Sequence, residues 1–359
     1  MSSILFLTWD GGGNLPPALA IASELRDRGH DVRFLGHAGQ ARRVEDAGLG
    51  FAAYPSARPF TSQDPGSPLR LLGTLGDRAM GRDVIDDLAA HPADLVVVDA
   101  LLFAAMEALR DNSVSYAVLG HCFDGFLRRA ARGPMGLLLR LRGYRPLALI
   151  DAGRARIVTT IEELDEGHGD VTHVGGIARG VPAHPEEPLV LLSLSTFSFP
   201  GLGRTWQRLL DAVEGLPARV VATTGPAVDP ETLRAPGNVE VHRWLPHAEV
   251  MPRASLVVGH GGLGTTMAAL AHGLPLLVLP QDATSDQPLV GKAIERAGAG
   301  LVMSRRSAPA KLRAAMVQLL GDGPHRRAAS SLGARVREQD GRARGADILE
   351  SLVSDATRS

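Results

Sequence analysis

The apolar positions along the chain fall into two patterns that take turns. Ile4 to Trp9 is a continuous apolar run; glycines follow, and then Leu15, Leu19, Ala22 and Leu25 recur at the spacing of a helix face. Asp31 to Leu35 begins the next run, and others stand at Asp94–Val98, Val114–Leu119 and Arg156–Thr159, each separated by enough chain for a helix. Continuous apolar strands alternating with helices predict a parallel sheet covered on both faces. Pro55 to Pro68 is rich in Pro, Ser, Gly and Asp, which predicts a surface loop at the carboxyl end of the third strand.

The pattern then pauses and restarts. Residues 181–188, Val-Pro-Ala-His-Pro-Glu-Glu-Pro, read as a linker. Beyond it, strands are expected at Leu189–Leu194, Arg219–Ala222, Val239–Val241, Leu256–Val258 and Leu276–Leu279, with a helical tail from Ala308 to Val353. The prediction is therefore two doubly wound, Rossmann-like α/β domains, 1–180 and 189–359, facing each other across a cleft, with the C-terminal helix available to pack back on the first. Sheets of this kind bind ligands at the carboxyl ends of their strands.

Composition narrows the function classes. The chain has 359 residues, 38 Lys plus Arg against 39 Asp plus Glu, and a single cysteine, Cys122. The balanced charge and scarce aromatics argue against a nucleic-acid partner. One cysteine excludes an internal disulfide, and with it taken as reduced the default location is the cytoplasm. The opening Met1-Ser2-Ser3-Ile4 lacks a basic n-region and reads as a first strand rather than a signal peptide. No apolar run is long enough for a spanning helix, so stable membrane insertion is not expected.

The most informative segment is Val258-Gly259-His260-Gly261-Gly262-Leu263-Gly264-Thr265-Thr266, which ends a strand and opens a helix. Its glycines let backbone approach a ligand, the hydroxyls of Thr265 and Thr266 can donate, and the helix start favours an anion such as a diphosphate. A glycine-rich turn that binds nothing is the competing explanation. Upstream, Trp244 offers an indole for stacking on a nucleobase; downstream, Pro280 to Gln287 offers carboxylate and amide groups suited to sugar hydroxyls. In the first domain, Gly11-Gly12-Gly13-Asn14-Leu15-Pro16-Pro17 also joins strand to helix, but Pro16 replaces the last glycine of a dinucleotide fingerprint.

From Trp244 to Gln287 the chain resembles the donor signature of GT-B nucleotide-sugar glycosyltransferases, the GT1-like group that includes plant and actinomycete natural-product enzymes. The resemblance extends over essentially the whole chain. It implies that Trp244 stacks on the base, that His260, Gly261, Gly262, Gly264, Thr265 and Thr266 contact the diphosphate, and that Asp286 and Gln287 hold sugar hydroxyls. Ser195 and Thr196, after the strand from Leu189, are implied to lie near the diphosphate and sugar, with turn capping as the competing role. Plant members carry a ribose-binding Glu where this chain has Ala268, which leaves UDP and dTDP both open.

The same resemblance places Gly13-Asn14-Leu15-Pro16-Pro17 on the family pattern Gly-His-x-x-Pro, whose His is the acceptor's base. Asn14 stands in its place, and an amide cannot take a proton. Helix capping is an alternative role for Asn14. Asp99 matches the family's partner Asp and is a candidate to act directly; it could equally cap the next helix. Asp10 and His121 are further candidates. Apolar residues in 55–82 and 121–148, among them Phe60, Met80, Phe123 and Phe126, suggest a lipophilic polyketide-like or aromatic acceptor, or simply helix faces on the core. The arginines from Arg128 to Arg145 would also suit a membrane surface.

The expectation is an inverting, metal-independent glycosyltransferase that moves a hexose or deoxyhexose from UDP- or dTDP-sugar as co-substrate, with no cofactor, and that can assemble as a homodimer. The alternatives are an auxiliary homologue that binds nucleotide sugar or acceptor without turnover, and a nucleotide-sugar epimerase on the same architecture.

Overall fold

The computed structural model describes residues 1–165 and 167–356. The chain divides into two compact units. The first takes Met1–Glu162, a segment ending at Gly175, and the chain from Gly341 onward; the second takes Glu163–Asp165 and Gly176–Asp340. The division thus groups the proline-rich stretch 181–188 with the second unit.

The first unit's strands are β1 (Ser3–Leu7), β2 (Asp31–Gly36), β3 (Gly50–Ala53), β4 (Leu95–Asp99), β5 (Tyr116–Gly120), β6 (Arg156–Val158) and β7 (Val171–His173). They form one sheet in the order β3-β2-β1-β4-β5-β6-β7, and every pair is parallel. The central strands are apolar along their whole length because helices cover both faces: β4 and β5 are buried at every position. The chain order reverses between β1 and β4, which is where a doubly wound sheet opens a crevice at its carboxyl edge.

In the second unit β8 (Leu189–Ser193), β9 (Arg219–Thr223), β10 (Val239–His242), β11 (Leu256–Gly259), β12 (Leu276–Val278) and β13 (Gly300–Val302) form the order β10-β9-β8-β11-β12-β13, again parallel throughout. Its reversal falls between β8 and β11. The short strands β7 and β13 lie at sheet edges, and three residues are too few to show a periodicity. Gly300 opens β13 because a Cβ there would lie 2.0 Å from the carbonyl oxygen of Leu276 on β12.

From Tyr54 to Ser67 the chain is a loop, as its composition predicts. Two carboxylates from the following segment pin it: Asp83 accepts from the amides of Ser56 and Ala57, both at 2.9 Å, and Asp77 from that of Arg58 at 2.8 Å. Among the described residues no helix is long and apolar enough to cross a membrane.

The last helix, Gly341–Ala356, belongs to the first unit. Ala346, Leu349 and Val353 join Ile21 and Leu25 of the helix Leu15–Asp27 in one core cluster. Gly345 permits the approach, since a Cβ there would come within 2.7 Å of Ile21 Cδ1. Arg28 Nη1 adds contacts of 2.6 Å to Asp347 and 2.7 Å to Glu350. These ion pairs are partly exposed and contribute little, so the apolar face holds the helix. Leu349→Ala is expected to destabilise the first unit by about 2–5 kcal/mol, the usual cost of emptying a buried leucine site; urea unfolding followed by circular dichroism checks this, and an unchanged first transition would contradict it.

Candidate active site

The residues after β1, β4 and β5 converge in the first unit because these strands are neighbours and parallel, so their carboxyl ends share one edge. Asn14 follows β1, stands before the helix Leu15–Asp27, and is 3% exposed. Its side chain makes no capping bond. Instead Nδ2 donates to Asp99 Oδ2 at 2.9 Å, to the Trp9 carbonyl at 3.0 Å and to Thr8 Oγ1 at 3.2 Å. Because its nitrogen faces these acceptors, the amide has a fixed orientation, and Oδ1 is buried without a hydrogen-bond partner.

Asp99 ends β4 and is buried. Its Oδ1 accepts from the amide of Leu101 at 3.0 Å, and His121 Nδ1 lies 3.1 Å from its Oδ2. Burial alone would raise its pKa, but the neighbouring His121, the Leu101 amide and the Asn14 amide outweigh that and hold the carboxyl below its usual range. Asp99 is therefore ionised at neutral pH. The capping role considered for it is partly met by the Leu101 bond, close to the helix Phe103–Asp111. A cavity of about 10 Å³ is lined by Thr8, Asn14, Asp99 and His121 together with core residues.

Asp10 is half-buried in the same loop, and its amide donates to His37 Nδ1 at 3.3 Å. Its carboxylate bonds neither Asn14 nor Asp99. Two residues absent from the sequence expectation support this loop. Gln40 Nε2 donates to Trp9 O at 2.9 Å and Thr8 Oγ1 at 3.2 Å, and His37, kept neutral by burial, reaches the Arg58 carbonyl through Nε2 at 3.1 Å. Only a contact across β2 places them there, and no motif announces it.

The apolar candidates are mostly core. Met80 is fully buried, and Phe60 and Phe123 are nearly so. Phe60 packs on Trp9 with ring centroids 5.4 Å apart, whereas Phe126 is half-buried and retains surface.

In the second unit the candidates lie after β8, β10, β11 and β12, again on one edge because Gly259 pairs with Ser193 on β8 and with Val278 on β12. The helix Leu263–Ala271 starts at Gly262, and its first internal bond is Thr266 N to Gly262 O at 3.0 Å. The amides of the preceding residues point out of the helix start, where an anion is favoured. Gly261 has φ +88°, and a Cβ there would meet the Gln287 carbonyl at 2.9 Å. At Gly262 a Cβ would lie 2.4 Å from His260 Nε2, while at Gly264 it would meet nothing within 4 Å. The imidazole of His260 thus lies against the glycine turn. Burial lowers its pKa to about 4, so the ring is neutral at physiological pH. Its Nδ1 is buried without a partner.

Thr265 is half-buried and Thr266 fully buried. Ser195 accepts from the amide of Phe197 at 2.9 Å, which is the turn-capping role, and Thr196 is exposed. Gln287 is buried, and its Oε1 accepts from the amides of Gln281 at 2.7 Å and Asp282 at 3.2 Å. Its carbonyl therefore shapes the loop, leaving the amide nitrogen as its remaining donor. Asp286 stands before the helix Gln287–Arg296 without capping it. Trp244 is 71% exposed, so its indole face is open to solvent.

A family model described as the erythromycin biosynthesis protein CIII-like C-terminal domain matches residues 207–352. The elloramycin glycosyltransferase ElmGT of Streptomyces olivaceus is 30% identical over 80% of this chain and 82% of its own. The chain belongs to the natural-product glycosyltransferases. This glycosyltransferase is also 26% identical, over 98% of its length and 99% of the relative's, to 4'-demethylrebeccamycin synthase of Lentzea aerocolonigenes. In fold it matches the calicheamicin glycosyltransferase CalG4, with a TM-score of 0.80 at 24% identity, 99% of this chain and 98% of the other being covered. VinC, solved in complex with dTDP, superposes with a TM-score of 0.75 at 20% identity, over 99% of this chain and all of the other. Both units of the glycosyltransferase are thus the GT-B type of parallel-sheet domain, and it transfers sugar from a nucleotide sugar.

The half-buried, neutral His260 has a consequence for stability. Its folded pKa lies below the 6.5 of a free imidazole, so between pH 6.5 and about 4 the unfolded chain binds more protons there. Stability of the second unit is expected to fall as pH drops through that window. His260→Gln should flatten this dependence in urea midpoints measured against pH; an unchanged slope would contradict the assignment.

Proposed function

We propose that this glycosyltransferase moves a hexose or deoxyhexose from UDP- or dTDP-sugar to a small lipophilic acceptor, with inversion and without a metal ion. The observation that carries this reading is the turn from Gly259 to Gly264, where backbone amides open onto a helix start beside a neutral imidazole. Such donors stabilise charge on a departing diphosphate because they are already oriented toward it. The exposed Trp244 after β10 supplies a stacking face for the base, and Asp286 with the Gln287 amide nitrogen supplies sugar contacts.

Inversion is a single displacement, which needs a base for the acceptor and no protein nucleophile. Asp99 is engaged at both oxygens, by Leu101 on one and by Asn14 and His121 on the other, which leaves neither oxygen free to act as a nucleophile. Asn14 replaces the usual His as a hydrogen-bonding group that cannot accept the proton. The acceptor class is supported by the relatives' names, which refer to the natural products rebeccamycin and elloramycin.

The chain has 3 tryptophans; Trp9 and Trp206 are buried at 4% and 0% exposure, so a change in indole emission on ligand binding reports chiefly on Trp244. Titration with dTDP or UDP is expected to quench tryptophan fluorescence. Trp244→Phe should abolish most of that signal and weaken binding by about tenfold, or ~1.4 kcal/mol. Unquenched emission despite calorimetrically detected binding would show that the base lies elsewhere. Gly262→Ala, which drives a methyl into the His260 ring, should weaken the same nucleotides by at least about tenfold; unchanged affinity would remove this turn from the donor site.

A further inference from the structure

We propose that His121 is the proton acceptor of the transfer reaction, oriented by Asp99, and that Asn14 is a positioning residue that pins the same carboxylate. The proposal rests on the glycosyl-transfer reading above and assigns the group that performs its proton step.

Sheet order makes the arrangement. β4 lies between β1 and β5, so the loops carrying Asn14 and His121 flank the strand end that carries Asp99. Asn14 Nδ2 is 2.9 Å and His121 Nδ1 3.1 Å from one oxygen, Asp99 Oδ2. Of the three side chains the imidazole has the most surface, 16% against 8% for Asp99. Asn14 is 3% exposed as a residue and spends its amide nitrogen on Thr8, Trp9 and Asp99. The Trp9 ring lies 6.5 Å from the imidazole, centroid to centroid, and provides an apolar wall beside it.

A carboxylate at Nδ1 selects the tautomer with hydrogen on Nδ1, which places the basic lone pair on Nε2. In the step, the acceptor hydroxyl gives its proton to His121 Nε2 as its oxygen bonds to the anomeric carbon. The bond from that carbon to the diphosphate breaks, and its electron pair leaves on the diphosphate oxygen. Asp99 stabilises the imidazolium, which returns the proton to solvent after product release. Sugar, nucleoside diphosphate and one proton account for all atoms.

The test compares variants with dTDP-glucose and UDP-glucose as donors and a panel of phenols and alkanols as acceptors. His121→Ala is expected to lower kcat by at least about 100-fold, the usual contribution of a positioned base, with donor KM little changed. Asn14→Ala should lower kcat with donor KM again unchanged. Asn14→His in the His121→Ala background should recover much of the loss, because an imidazole at position 14 reaches the same Asp99 oxygen. Wild-type kcat in His121→Ala would overturn the proposal.

A second readout does not depend on turnover. Long-range proton–nitrogen NMR, with the His121 signal identified by its loss in His121→Ala, should show the Nδ1–H tautomer. A ring protonated on Nε2 alone, or on both nitrogens at neutral pH, would overturn the proposal. If the wild type binds nucleotide but glycosylates no acceptor in the panel, the failure belongs to the acceptor reading, and the tautomer alone decides the role of His121.

Discussion

A carboxylate kept ionised inside the protein is the constraint around which the candidate site of the first unit is organised. Asp99 is buried at the end of a central strand, where desolvation favours its neutral form, yet His121, Leu101 and Asn14 together reverse that preference. Each comes from a different piece of chain, and the parallel register brings them to one edge. Removing a single donor would leave a partly uncompensated buried charge, whose cost exceeds that of an ordinary lost hydrogen bond. The same carboxylate therefore links the loops after β1, β4 and β5, and so determines where the imidazole of His121 stands.

The second unit uses the same strand-to-helix architecture with almost no charge. Gly261, Gly262 and the helix start at Leu263 present backbone rather than side chains, and burial keeps His260 neutral. An anion in such a turn is met by fixed dipoles that need no rearrangement when charge moves from the anomeric bond to the diphosphate. The candidate groups for proton transfer and the candidate diphosphate turn thus each stand at the point where their own sheet reverses chain order.

The strands and the glycine turn were legible in the sequence because their signals are local: an apolar run ends, glycines follow, and a helix begins. The partnership of Asn14 with Asp99 spans 85 positions, and no local pattern distinguishes it from the capping role that an Asn before a helix ordinarily takes. Strands β7 and β13 are too short to show alternation. Gln287 fell on a sugar-binding motif, yet its carbonyl is also the acceptor that shapes the loop 281–282, which only coordinates reveal. Met80 and Phe60 read equally as ligand wall or core from spacing alone; burial places them in the core.

Stereochemistry tests the central claim most directly. A single displacement assisted by a base, with no protein nucleophile, must invert the anomeric carbon. Proton NMR of the glycoside formed from α-linked dTDP-glucose or UDP-glucose, in buffer containing EDTA, should show only the β-anomer appearing as the nucleotide sugar is consumed. An α-linked product, or turnover abolished by the chelator and restored by a divalent cation, would contradict the account.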